Sequence, residues 1–179
     1  MIYEPAEDSY LLEKEVRRFC KGKRVLDMGA GSGIQALAAK KGRALGVLAC
    51  DIDIRAVNEL KKKGINAILS DLFSNIKGEF DLIIFNPPYL PEDKREDAES
   101  ARNTSGGKRG DEIILRFLKD AGKHLNTNGA ILLIVSSLTP KNRILSVLRR
   151  KDLKKKIITE KKIFMESLEV WKIGRKLIF

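Results

Sequence analysis

Short apolar runs alternate with helical segments along this chain, and that alternation most narrows what it can fold into. The strand-like runs are "KRVLDMG" (23–29), "ALGVLACDI" (44–52), "INAILSD" (65–71), "FDLIIFN" (80–86) and "GAILLIVSS" (129–137). Between or before them lie segments with helical apolar spacing: "AEDSYLLEKEVRRF", "GIQALAAKKG", "IRAVNELKKKG" and "DEIILRFLKDAGKHL". Leu11, Leu12, Val16 and Phe19 share one side of the first. Gly42 and Gly64 close the second and third as helix terminators. A further helix near 141–151 precedes "KKIITEKKIF" and "LEVWKIGRKLIF", which read as an antiparallel strand pair. Strands that alternate with helices, and are apolar on both sides, demand a mostly parallel sheet covered on both faces. The expectation is a single α/β domain over 1–179.

The first strand runs into "LDMGAGSG" (26–33), a glycine-rich turn opening a helix. Glycine lets a ligand approach the backbone closely. In an open α/β sheet such a turn lies at the carboxyl ends of the strands, where ligands bind. The spacing Gly29, Gly31, Gly33 is not that of a dinucleotide fingerprint, because the third glycine comes one residue early. An acid, Asp27, also precedes the turn, which suits a cationic ligand better than a pyrophosphate. Asp51 ends the second strand and can accept from both ribose hydroxyls, with Asp53 as its rival. Asp71 ends the third and can accept from an adenine amino group. Any one of these could simply cap a helix. Three acids at successive strand ends beside a glycine turn describe a pocket for an adenosine bearing an amino acid and no phosphate, which is S-adenosylmethionine.

The fourth strand ends in "FNPPYLP" (85–91). Proline cannot donate to a sheet ladder, so pairing stops at Asn86. Each proline also keeps its predecessor extended. The result is a stiff corner holding the Asn86 side chain and its neighbouring carbonyls in one geometry. Directly after it comes "LPEDKREDAESARNTSGGKRG" (90–110), long enough for a functional loop.

Composition excludes several classes. There is no run of about 18 apolar residues to span a membrane and no secretory signal pattern at Met1–Tyr10, so a cytoplasmic location is expected. The two cysteines, Cys20 and Cys50, have no metal-ligand spacing, and Cys50 reads as a core residue. No metal is expected. The single histidine, His124, shows no partner in the sequence and is given no catalytic role. The net charge of +11 suggests an anionic partner such as RNA. Its densest part, residues 141–162, carries ten Lys or Arg against Asp152 and Glu160. Ile144, Leu145, Val147 and Leu148 recur there at helical spacing, so a solvated basic helix face accounts for it more simply.

Over nearly its whole length the chain resembles the class I S-adenosylmethionine-dependent methyltransferases. The "NPPY" tetrad narrows this to those acting on planar or exocyclic nitrogens. "YEPAEDSYLL" (3–12), "FNPPYLP" and "GGKRGDEIILRFL" (106–118) resemble the HemK2 branch of the HemK family. That branch methylates the glutamine of the Gly-Gly-Gln motif in class 1 translation termination (release) factors.

The resemblance implies a Rossmann-like, seven-stranded, mostly parallel sheet in the order 3-2-1-4-5-7-6, with a C-terminal antiparallel strand and helices on both faces. It implies that Ser9, Asp27, Gly29, Gly31, Asp51, Asp71, Leu72 and Asn86 bind the cofactor. Asn86, Pro87, Pro88 and Tyr89 would form the substrate amide site, with Asn86, Pro87 and Tyr89 catalytic. A large residue is expected just before Gly106, where this chain has "NTS". A small zinc-binding activator subunit is implied, and "NAILSD" (66–71) is its expected dock. That segment is a short edge strand with no proline and no charge before Asp71, and Ile65, Ala67, Ile68 and Leu69 are expected to offer apolar contact on both faces. The rival reading is a nucleic-acid methyltransferase acting on an adenine or guanine amine.

Overall fold

The computed structural model describes residues 4–92, 104–164 and 166–176. The first helix, α1 (Glu7–Phe19), leads into β1 (Arg24–Met28), α2 (Ile34–Lys41) and β2 (Gly46–Asp51). Next come α3 (Ile54–Lys62), β3 (Asn66–Leu69) and β4 (Phe80–Phe85). After the loop stand α4 (Glu112–Ala121) and a 3-10 turn (Gly122–His124), then β5 (Leu125–Ser136) and α5 (Lys141–Arg150). The hairpin β6 (Lys154–Ile163) and β7 (Glu166–Gly174) follows. The seven strands form one sheet in the order β3-β2-β1-β4-β5-β7-β6, as the resemblance implied. Strands β1 to β5 pair in parallel, and β7 runs against both β5 and β6.

Side chains alternate across a strand, and both sides of β5 are buried. Ala130, Leu132 and Ile134 pack with Leu11, Leu12 and Val16 of α1 and Ala38 and Ala39 of α2. Ile131, Leu133 and Val135 pack on the opposite side with Ile114, Phe117 and Leu118 of α4 and Ile144 and Leu148 of α5. This double burial is why the strand reads as one continuous apolar run. Val57 and Leu60 of α3 cover Ala49 and Ala67 at the β2–β3 end.

Two expectations change here. The segment 66–71 is an edge strand only over Asn66–Leu69, and it is covered on both faces by the chain itself. Ile65 and Ala67 are buried against α3, and Ile68 packs into the α4 core. Leu69 alone of the four is exposed, at 45%. His124, for its part, does have partners. Its Nδ1 lies 2.9 Å from the Gly78 carbonyl, and its ring stacks on Phe73 at 4.7 Å. It pins the entry to β4 to the end of α4, a structural role. Among the described residues no helix is long and apolar enough to cross a membrane, and no cluster of His, Cys, Asp or Glu could hold a metal.

Candidate active site

The carboxyl ends of β1, β2, β3 and β4 open into a cavity of about 1010 Å³. Parallel pairing aligns these ends, so Gly29, Asp51, Asp71 and Asn86 reach one space although they are far apart in sequence. Ser9, Asp27, Gly31, Leu72 and Pro88 also line it. Of the residues singled out in the sequence, Pro87 and Tyr89 are not in the lining. Pro87 is buried. Tyr89 is half-buried and packs toward the α1 side of the core, and its carbonyl accepts from the Thr139 hydroxyl at 3.2 Å.

The glycine turn is tied down from both strands. Gly31 N–H donates to Asp51 Oδ2 at 2.8 Å, and Asp53 N–H donates to Asp51 Oδ1 at 2.8 Å. Each carboxylate oxygen thus keeps lone pairs for a ligand. Gly33, at φ 84°, opens α2 in the left-handed region. A Cβ there would stand 2.5 Å from Leu60, so the turn packs against α3 only with glycine. Asp53 is occupied elsewhere. Its carboxylate caps α3 through Arg55 N–H at 2.8 Å and pairs with the Arg55 side chain at 2.7 Å.

Asp27 is almost wholly buried and accepts from Ala36 N–H at 2.9 Å in the first turns of α2. Burial pushes its carboxyl up to about 8; the Ala36 hydrogen bond opposes this and the charge of Asp51 adds to it. At the far end of the cavity Asp71 pairs with Arg116 of α4 at 2.8 Å. Leu72 sits at φ 49°, a left-handed conformation that is costly for a branched residue. The Ser70 hydroxyl holds it there by donating to the Leu72 carbonyl at 2.7 Å.

Asn86 has the most informative environment. Its Nδ2 donates to Asp8 Oδ2 at 3.1 Å, which fixes the amide orientation, because a carboxylate can only accept. Its Oδ1 is buried and has no hydrogen-bond partner among the described residues. Asp8 is itself held by Ser9, whose N–H donates to Oδ1 at 2.6 Å and whose hydroxyl lies 3.2 Å away. The sequence reading missed Asp8. It lies inside the quoted "YEPAEDSYLL" stretch, but as an acid in the first helical turn, where the helix dipole favours one in any protein, it gave no sign of a partner.

The loop after Asn86 is clamped by the "SGG" segment. Leu90 N–H donates to Thr104 O at 2.9 Å, and Gly106 N–H returns the bond to Leu90 O at 2.9 Å. A Cβ on Gly106 would lie 2.4 Å from the Gly110 carbonyl and 2.7 Å from the Pro88 carbonyl. Glycine is required there because two backbone segments touch. Most of the 90–110 loop, residues 93–103, lies outside the described residues, as does Tyr3 of the opening motif.

Residues 8–164 match the family model described as the methyltransferase small domain. A protein of Methanocaldococcus jannaschii is 37% identical over 94% of this chain and 89% of its own length. It carries the provisional name protein N5-glutamine methyltransferase. The mouse protein named methyltransferase HEMK2 is 27% identical over 97% of this chain and 90% of its own. Among solved structures, the E. cuniculi Mtq2–Trm112 complex superposes with a TM-score of 0.81 at 30% identity, covering 98% of this chain and 99% of that one. It is described as responsible for methylating the translation termination factor eRF1.

Proposed function

The chain belongs to the methyltransferase small domain family, and on that footing we propose that it methylates the side-chain amide nitrogen of the glutamine in the Gly-Gly-Gln motif of a class 1 translation termination factor, with S-adenosylmethionine as donor. One observation points to a substrate bearing an NH2 group: the buried, unpartnered Oδ1 of Asn86 at the end of β4, a residue that lines the cavity. A buried acceptor left unpaired costs about 1–3 kcal/mol. An incoming N–H removes that cost. An amide NH2 group is such a donor, and it is otherwise a poor nucleophile because its lone pair is delocalised.

The residues fit the donor. Asp51 keeps acceptor capacity for a ribose diol, Asp71 and Leu72 face the β3 end, and Ser9, Gly29 and Gln35 close the other. When bound, S-adenosylmethionine supplies an electrophilic methyl on a sulfonium centre. Asn86 Oδ1 and the Pro87 carbonyl each accept one N–H of the target amide, which raises electron density on nitrogen and aims it. Asp8 keeps Asn86 turned the right way, the prolines hold both acceptors still, and Tyr89 supports the corner. Such catalysis is positioning in a water-poor site. The nitrogen that gains the methyl loses one proton to water during or after transfer, so no histidine base is needed, which agrees with the structural setting of His124.

In the same proposal a small zinc-binding activator subunit adds a strand to the free edge of β3. Among the described residues β3 pairs with β2 alone, and the exposed side chains Leu69, Ile52 and Ile54 stand near that end of the sheet. The likeness to Mtq2, solved in complex with Trm112, supports the presence of a second subunit.

The net charge of +11 favours a second reading, an exocyclic base amine in RNA. Both readings are tested by supplying labelled S-adenosylmethionine with a Gly-Gly-Gln release factor, with total tRNA and with rRNA. Label entering the factor and neither RNA is expected. Label entering only RNA overturns the protein-substrate reading.

A further inference from the structure

A second unpartnered acceptor lines the same cavity, on the first turn of α2. Gln35 is 3% exposed in an otherwise apolar stretch, "IQALAA". Its Nε2 donates to the Ser9 carbonyl at 2.9 Å, bridging α2 to α1. That bond fixes the amide orientation, since a carbonyl can only accept. Its Oε1 is left buried and without a hydrogen-bond partner among the described residues. A helix-to-helix tether alone explains the Nε2 bond but not the orphaned oxygen. Serving the tether alone, a buried glutamine would leave half of its hydrogen-bonding capacity unsatisfied at a cost.

The position in the sheet says which ligand group lies there. The strand order β3-β2-β1-β4 sets the cavity out in sequence. Leu69, Ser70, Asp71 and Leu72 stand beyond β3, Asp51 at β2, and Gly29, Gln35 and Ser9 over β1 and α2. With the ribose at Asp51 and the base toward Asp71, the amino-acid tail of the cofactor falls at the Gln35 end. That tail ends in an ammonium, a donor, and a carboxylate, an acceptor. Gln35 presents only an acceptor, and of the tail's two groups only the ammonium donates. The two arginines of the lining, Arg55 and Arg116, pair with Asp53 and Asp71. A cationic donor is therefore the complementary group.

We infer that Gln35 Oε1 accepts a hydrogen bond from the α-ammonium of the cofactor's amino-acid tail. This makes Gln35 a cofactor-discriminating residue that selects amine-bearing adenosyl thioethers and sulfonium compounds over deaminated ones. The inference rests on the S-adenosylmethionine reading and not on the identity of the methyl acceptor.

The test measures binding by calorimetry for S-adenosylhomocysteine and for its deaminated analogue, in the wild-type chain and in Gln35→Met. Methionine keeps the length and removes the acceptor. The variant is expected to bind S-adenosylhomocysteine about tenfold more weakly, the effect of losing one hydrogen bond to a charged group, and to bind the deaminated analogue within about twofold of wild type. Equal weakening of both ligands, or weakening of neither, overturns the inference and leaves Gln35 a tether. A second measurement needs no variant. In the wild-type protein the Gln35 side-chain amide resonances should shift with S-adenosylhomocysteine and shift much less with the deaminated analogue; identical shifts overturn it. If the wild-type chain binds neither ligand, the cofactor reading itself fails, an outcome distinct from the failure of Gln35 alone.

Discussion

Replacing Asp8 by asparagine should slow methyl transfer far more than it weakens cofactor binding. In the native chain Asp8 Oδ2 accepts from Asn86 Nδ2 at 3.1 Å, and Asp8 is only 5% exposed. A carboxylate forces the Asn86 nitrogen toward itself and so turns Oδ1 away. Asparagine at position 8 can donate as well as accept, so the Asn86 amide is free to rotate by half a turn. In the rotated state an N–H stands where the substrate needs an acceptor. A hydrogen bond to a buried charged group contributes about 1.5–3 kcal/mol, and each 1.4 kcal/mol is about a factor of ten. Single-turnover transfer should therefore fall by roughly 10- to 100-fold. Asparagine retains the shape of Asp8, and Asp51 and the glycine turn are untouched, so the cofactor Kd should change by less than about threefold. The assay pairs rapid-quench transfer to a release factor with calorimetry for S-adenosylhomocysteine. Transfer within twofold of wild type, or a loss wholly explained by weaker cofactor binding, refutes the positioning role.

Three further outcomes follow from the same geometry. Asp51→Ala should weaken S-adenosylhomocysteine binding by about 2 kcal/mol in calorimetry, whereas Asp53→Ala should leave binding nearly unchanged and cost about 1 kcal/mol of stability through the lost α3 cap; the reverse pattern would give the ribose role to Asp53. The Asp27 carboxyl titrates near 8 in the folded chain and at an ordinary carboxylate value of 3.8 when unfolded. Between these the folded state binds the extra proton, so its contribution to stability is greatest below about pH 4 and is lost as pH rises to about 8. Urea denaturation across that window should show a falling slope in the ligand-free chain that Asp27→Asn removes; an unchanged slope would contradict it. Leu69→Glu should abolish capture of a zinc-binding activator subunit in a pull-down while leaving the melting temperature within a few degrees, because Leu69 is exposed while Ala67 and Ile68 are not; undiminished capture would move the dock elsewhere.

Much of this architecture was legible because it depends on short-range pattern. Alternating apolar periods gave the elements, and the glycine turn with Asp27, Asp51 and Asp71 marked the strand ends that converge on one cavity. "FNPP" placed the end of β4 at Asn86, one residue beyond the observed end at Phe85, and so put the Asn86 side chain at the strand's carboxyl end. What stayed hidden depends on pairing across the fold. Asp8 and Asn86 are 78 residues apart, and nothing local joins them. Gln35 and Ser9 meet only because α1 packs on α2. The meaning of "GG" at 106–107 appears only when that backbone is seen against Pro88 and Leu90. At the β3 edge the apolar residues of a short strand look available on both faces until α3 and α4 are seen to cover Ile65, Ala67 and Ile68, which leaves Leu69 and the strand's outer edge.

The most direct measurement is the mass-mapped product of a release factor incubated with S-adenosylmethionine and either the wild-type chain or Asn86→Ala, each with and without the proposed activator subunit. The wild-type reaction should add the mass of one methylene to the glutamine side chain of the Gly-Gly-Gln peptide and to no other residue. Asn86→Ala should form that product at least about 100-fold more slowly, as expected for losing a preorganised hydrogen-bonding group, while still binding S-adenosylhomocysteine. A methyl group found on any other residue, or near-normal glutamine methylation by Asn86→Ala, would contradict the account.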